Sequence, residues 1–171
     1  KKKKKKYYWK ELDFKKKKKK KENQKSELII TANGNPEYFE QVVQLINNAP
    51  VLRNWKFTAL IQPTEKIDKI IERLDDPYVI QELTIKTNEA KFLSLDYDVN
   101  SQKLDIIIYL KNYCIHCNTK TLQQIMYVIL KDLLGEKTNY EKINFVQLAK
   151  LPNEIEELIE LYEFQFYIDE I

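Results

Sequence analysis

The chain has 171 residues, with 29 Lys or Arg against 26 Asp or Glu and a formal charge of +3, an average that hides two opposite parts. Residues 1–21 hold 14 lysines against Glu11 and Asp13, a net of +12, whereas residues 22–171 sum to −9. With 43% hydrophobic residues the length permits a real core, while two glycines exclude glycine-rich phosphate loops and dinucleotide fingerprints, and a single histidine leaves no His pair for a zinc constellation.

The first segment, 1–21, contains the runs Lys1 to Lys6 and Lys15 to Lys21. One reading is a nuclear-localisation or nucleic-acid tail. The favoured reading is an ordered segment of doubtful sequence identity, in which many lysines stand in for other residues and only Tyr7, Tyr8, Trp9, Leu12 and Phe14 read as native packing residues. Nucleic-acid binding through these lysines is accordingly the weakest of the functional alternatives.

Regular patterning starts at Glu27. Leu28-Ile29-Ile30-Thr31-Ala32 is a β-rich run ended by Asn33-Gly34-Asn35, a buried strand leading into a turn. Asn35 caps a helix with Pro36 at its first position, and Phe39, Val42, Val43 and Ile46 form its apolar stripe. Trp55 to Ile61 predicts a second strand stopped by Pro63. A short helix follows, capped by Thr64, with Ile67, Ile70, Ile71 and Leu74 as its stripe and Asp75-Asp76-Pro77 as its breaker.

The next stretch alternates. Leu83 and Ile85 share a face; Leu93, Leu95, Tyr97 and Val99 share one; and after the turn Asn100 to Lys103, so do Leu104, Ile106, Ile108 and Leu110, which predicts an antiparallel hairpin or meander. A helix starting at Thr119 or Thr121 carries Leu122, Ile125, Met126, Ile129, Leu130 and Leu133 to Gly135, read as a left-handed cap. Ile143 to Leu151 is the last strand. Asn153 caps a final helix with Ile155, Leu158, Ile159, Tyr162 and Phe166 on its buried side.

Helices separated by paired strands, without strict alternation, predict an α+β fold: a two-layer sandwich of a mixed or mostly antiparallel sheet with helices packed on one face. A sheet of about four to six strands is expected to carry the helices near Pro36 and Thr121 on the same face. With no linker rich in Gly, Pro or Ser, residues 22–171 read as a single domain.

Leu28-Ile29-Ile30-Thr31-Ala32-Asn33-Gly34-Asn35-Pro36, then Phe39, Val43, Leu45, Ala49-Pro50, Leu52 and Trp55, resembles the start of a bacterial conserved family of unknown function with an I-S-A-x-G-[DN]-P stretch, an F-x-x-V helix and an A-P-x-L-x-x-W segment. Leu133-Leu134-Gly135-Glu136 is similar to the family's second recurrent stretch, so the likeness covers residues 27–145. The chain departs from the pattern at Thr31, where the family has Ser, and over Lys66 to Tyr78. The resemblance implies a fold relative and brings no catalytic or binding residue with it.

Cys114, His116 and Cys117 are the sharpest chemical feature. Between a strand and a helix start, amides and the helix dipole favour a thiolate. A redox pair needs a βαβ context, whereas a hairpin precedes this one, and zinc needs about four ligands where three are local. The bland reading, two reduced loop cysteines, is preferred. Gly34 at a helix start could favour an anion, against which stands Glu37. Asp96/Asp98 and Asp75/Asp76 read as surface charges.

No apolar run approaches the roughly 18 residues of a spanning helix, and the tyrosines and lysines after Lys6 leave no secretory core. Two cysteines are too few for a disulfide framework. The chain is therefore expected to be cytoplasmic, without membrane or cofactor. The leading functional reading is a non-enzymatic domain that binds another protein, with no assigned catalytic, cofactor or metal residue. The alternative is a thiol-dependent enzyme or redox protein using Cys114 and Cys117. The acidic, aromatic C-terminal stretch from Leu151 to Ile171 is read as an ordinary amphipathic helix in preference to a partner surface.

Overall fold

A computed structural model describes residues 13–17, 25–80, 83–111, 113, 119–153 and 157–171. The fold is α+β with small mixed sheets. The chain divides into two compact units between Gln62 and Pro63, a boundary inside the stretch that composition reads as one domain.

In the N-terminal unit, β1 (Asp13–Lys17) pairs antiparallel with β2 (Ser26–Thr31), which pairs parallel with β3 (Trp55–Ala59). Part of the second lysine run is thus paired backbone. The parallel pair is joined by a 3₁₀ turn (Pro36–Tyr38) and α1 (Phe39–Asn47). The chain leaves β2 through Asn33 and Gly34, both at positive φ (53° and 80°), with the Asn35 N–H donating to the Ala32 carbonyl at 3.1 Å. Asn and Gly are the residues that tolerate such a tight turn. The Asn35 side chain then accepts from the Glu37 N–H at 3.0 Å, as the capping pattern predicts. The core is Ile30, Ala32, Val42 and Leu60, with Tyr38, Phe39 and Ile46 against it. The helix stripe is narrower than its sequence suggests, because Val43 is exposed.

The C-terminal unit contains α2 (Ile67–Ile71), the antiparallel pair β4 (Tyr78–Ile80) and β5 (Leu83–Ile85), and a 3₁₀ turn (Thr87–Glu89). The hairpin β6 (Ala90–Asp98) and β7 (Lys103–Leu110) follows, then α3 (Thr119–Leu134), α4 (Glu136–Lys142), β8 (Ile143–Lys150), β9 (Ile159–Glu160) and α5 (Phe164–Asp169). Its main sheet has the order β8-β7-β6-β9, parallel between β7 and β8 and antiparallel elsewhere. The expected single sheet under both long helices is therefore corrected: α1 crosses over the β2/β3 pair, while α3 belongs to the unit built on the hairpin. Helix α3 buries its stripe, whereas the predicted stripe of α2 is buried only at Ile67 and Ile70 and leaves Ile71 and Leu74 exposed, and the strands divide among three sheets.

Two expectations about side-chain faces change. Leu93, Leu95, Tyr97 and Val99 do not form one buried face. The register shifts between Ser94 and Asp96, so Phe92 faces Ile108, Ser94 faces Ile106 and Tyr97 faces Leu104. A bulge inserts one residue and reverses parity beyond it. Ala90 and Phe92 are buried, Tyr97 packs on the core, and the extra residue Leu95 is half exposed.

The C-terminal helix is the second correction. Ile159 and Glu160 form a strand on β6, a 3₁₀ turn follows over Leu161–Glu163, and α-helix begins only at Phe164. The buried residues are Leu161, Phe164 and Ile168, while Phe166 stays 52% exposed. Ile155 lies outside the described residues. Gly135 also differs from the expected left-handed cap: its φ of 80° comes with ψ of 159°, a region open essentially to glycine alone. Its N–H closes α3 on the Lys131 carbonyl at 2.9 Å and its carbonyl accepts from Asn139 in α4 at 3.1 Å.

Candidate functional site

Cys114, His116 and Cys117 lie outside the described residues, between the end of β7 at Leu110 and the start of α3 at Thr119. Among the described residues no group of three or more His, Cys, Asp or Glu side chains could hold a metal ion, and no helix is long and apolar enough to cross a membrane. At Gly34, the amide of Glu37 is already taken by Asn35. Asp96 and Asp98 are exposed on alternate positions of β6, as expected. Hydrogen bonds from Ser101 and Asn100 hold the Asp98 carboxyl below its usual range.

Two surfaces of the C-terminal unit stand out. The first is β8. Its inner edge pairs with β7, and among the described residues no strand pairs with its outer edge. An extra residue, Asn144, enters near its start and donates to Asp105 Oδ1 at 2.8 Å. Beyond it Val146 and Leu148 pack on the core while Phe145 is 54% exposed. The strand holds no proline and only one charged residue, Lys150. Long edges are ordinarily blunted by such devices.

The second surface is an open cleft of about 450 Å³ whose lining includes Arg73, Lys86, Lys91 and Lys111 against the carboxylates Glu89 and Glu160. Lys91 and Glu160, neighbours across β6 and β9, form an ion pair of 3.0 Å. Arg73, Lys86 and Lys111 make no ion pair among the described residues.

The local chain explains how these cations gather. At the end of α2 the Arg73 N–H donates to the Ile70 carbonyl (3.0 Å) and the Leu74 N–H to the Lys69 carbonyl (2.7 Å), with Arg73 at φ 61°. This is a Schellman ending, whose left-handed position normally holds glycine. Asp75 then ties the next segment down, accepting from the Thr87 N–H at 3.1 Å and from Asn88 Nδ2 at 2.7 Å. Asp75 is therefore a loop staple that fixes the turn bearing Lys86 and Glu89, which corrects its reading as a surface charge; Asp76 is exposed.

Beneath that turn the Tyr78 hydroxyl donates to Asp132 Oδ2 at 3.2 Å. Burial first, and then the Asp132 charge, push the Tyr78 phenol well above its ordinary value, opposed by a hydrogen bond with Thr87. Tyr162, near Arg73 and Lys91, is also raised, by desolvation and then by Glu160 and Glu163.

Sequence reasoning missed this cleft because its cations are spread from residue 73 to residue 111. One signal was available: Arg73 is one of two arginines in a chain of 27 lysines. No known family model, curated protein or solved structure matches the chain significantly.

Proposed function

We propose that the protein is a non-enzymatic cytoplasmic domain that binds another protein, within the bacterial family it resembles, and that the partner adds an extended segment to the outer edge of β8. The observation that carries this reading is an edge with no pairing strand among the described residues, eight residues long and free of proline and internal charge. Alternate residues of such a strand turn their N–H and C=O outward, so about four residues offer main-chain hydrogen bonds to an added strand. Half-exposed Phe145 supplies an apolar contact next to that edge.

The test introduces edge charge without touching the core, through the double variant Phe145→Lys with Gln147→Lys. Partner capture from the native host is expected with the wild type and lost with the variant, with amide exchange of 143–150 slowed in the captured complex. A partner that is captured equally by the variant, or that leaves exchange of 143–150 unchanged, refutes edge addition.

A further inference from the structure

The cleft beside the Lys91–Glu160 pair is independent of the strand edge. We propose that it binds a compact multivalent oxyanion, a small molecule bearing phosphoryl or carboxyl groups, through Arg73, Lys86 and Lys111.

Three observations carry this. The cations come from three separate segments, the end of α2, the residue before the 3₁₀ turn and the end of β7, yet converge on one cleft. Residues 22–171 carry a net charge of −9, and three cations without ion pairs among the described residues at one place run against that background. Like charges gathered without partners repel, and an anion between them removes the repulsion.

The backbone of Arg73 is the second observation. Glycine occupies this left-handed position without steric penalty, and arginine does not. Folding of the α2 ending therefore gives no reason for a guanidinium at position 73. A ligand does: its planar fork matches the oxygens of a phosphate or carboxylate.

The third is that the site is organised before binding. Asp75 holds Thr87 and Asn88, which fixes the turn carrying Lys86, and a fixed turn lowers the ordering cost on association. The cleft is of ligand size, and among the described residues its lining includes Leu151 as its single apolar residue and no aromatic ring. Recognition there is of charge, without a platform for a stacked base. Glu89 faces the same space and limits the number of negative groups the cleft accepts.

Titration calorimetry on the full chain at low ionic strength tests this, with pyrophosphate as one probe and citrate as the other. One anion per chain is expected. Arg73→Gly and Lys111→Gln are each expected to weaken it at least about tenfold, and Glu89→Gln to tighten it. Because glycine suits position 73, Arg73→Gly is expected to keep or raise its unfolding midpoint, so its loss of binding is a loss of the ligand contact. Stronger binding of pyrophosphate identifies a phosphorylated ligand, and equal or stronger binding of citrate a polycarboxylate; either upholds the site. Absence of binding to both probes overturns it. So does equal binding by wild type and both charge-removing variants, which assigns the anion to the lysine runs.

Discussion

Replacing Phe164 by alanine is expected to cost the C-terminal unit about 3 to 5 kcal/mol, the range for removing a fully buried aromatic ring, while Phe166→Ala, two residues away on α5, costs less than about 1 kcal/mol. Phe164 is 0% exposed and Phe166 52% exposed. The Phe164 ring lies 4.5 Å from that of Phe92, which in turn meets Tyr167 edge-on at 5.4 Å. Loss of the central contact removes about 0.5 to 1.5 kcal/mol of aromatic geometry in addition to the apolar transfer term, which places the cost in the upper part of the range. The assay is native-state amide exchange of β6 and β7 under increasing urea. Tryptophan fluorescence is unsuitable, since Trp55 lies in the N-terminal unit and the other tryptophan, Trp9, precedes it in the sequence. An equal loss in the two variants, or a larger one for Phe166→Ala, refutes the observed docking and restores the face read from the sequence.

Tyr78→Phe is expected to cost about 1 kcal/mol at neutral pH by removing the donor to Asp132, with a gap to wild type that narrows above pH about 10. The sign follows from the raised phenol: the unfolded chain releases its proton near pH 10 while the folded one keeps it, so wild-type stability falls as pH rises, by at most about 1.4 kcal/mol per unit and less after solvent screening. Urea midpoints of both proteins from about pH 8 to 11 check this, and a constant gap contradicts it. Arg73→Gly is expected to leave stability unchanged or raise it by up to about 1 kcal/mol, because it relieves a non-glycine left-handed residue; a loss above about 1 kcal/mol in thermal unfolding shows that the side chain itself supports the fold.

The parts of the fold legible in the sequence are those with a local cause. The strand before Asn33-Gly34, the cap at Asn35 and the strand at Trp55 follow from turn chemistry and short-range pattern, and all three stand in the structure. Helix α3 stands for the same reason, since its apolar residues keep one stripe through four turns. The C-terminal segment failed because Leu158, Ile159 and Tyr162 fit a helical period as well as they fit a strand followed by a turn. Only the pairing of Ile159 with Phe92, far away in the chain, decides between the two. Short apolar runs carry that ambiguity by their nature.

The bulge in β6 shows why a correct element can still bury the wrong face. The sequence alternates through Leu93, Leu95, Tyr97 and Val99 as if one residue in two pointed inward. Strand β7, however, presents Leu104, Ile106, Ile108 and Leu110 at strict alternate positions, all 3% exposed or less. Matching Phe92 to Ile108 and Tyr97 to Leu104 leaves five steps on one strand and four on the other, and the surplus residue has to be expelled. Expelling Leu95 keeps two aromatic side chains on the core at the cost of one leucine on the surface, which burial favours. The cleft was invisible for a related reason. Its cations share no period or spacing, and what gathers them is a helix ending in left-handed backbone at Arg73 and a carboxylate, Asp75, that reaches 12 residues ahead. A periodic pattern reports which side chains leave water; it carries no information on which charged residues the resulting turns bring together.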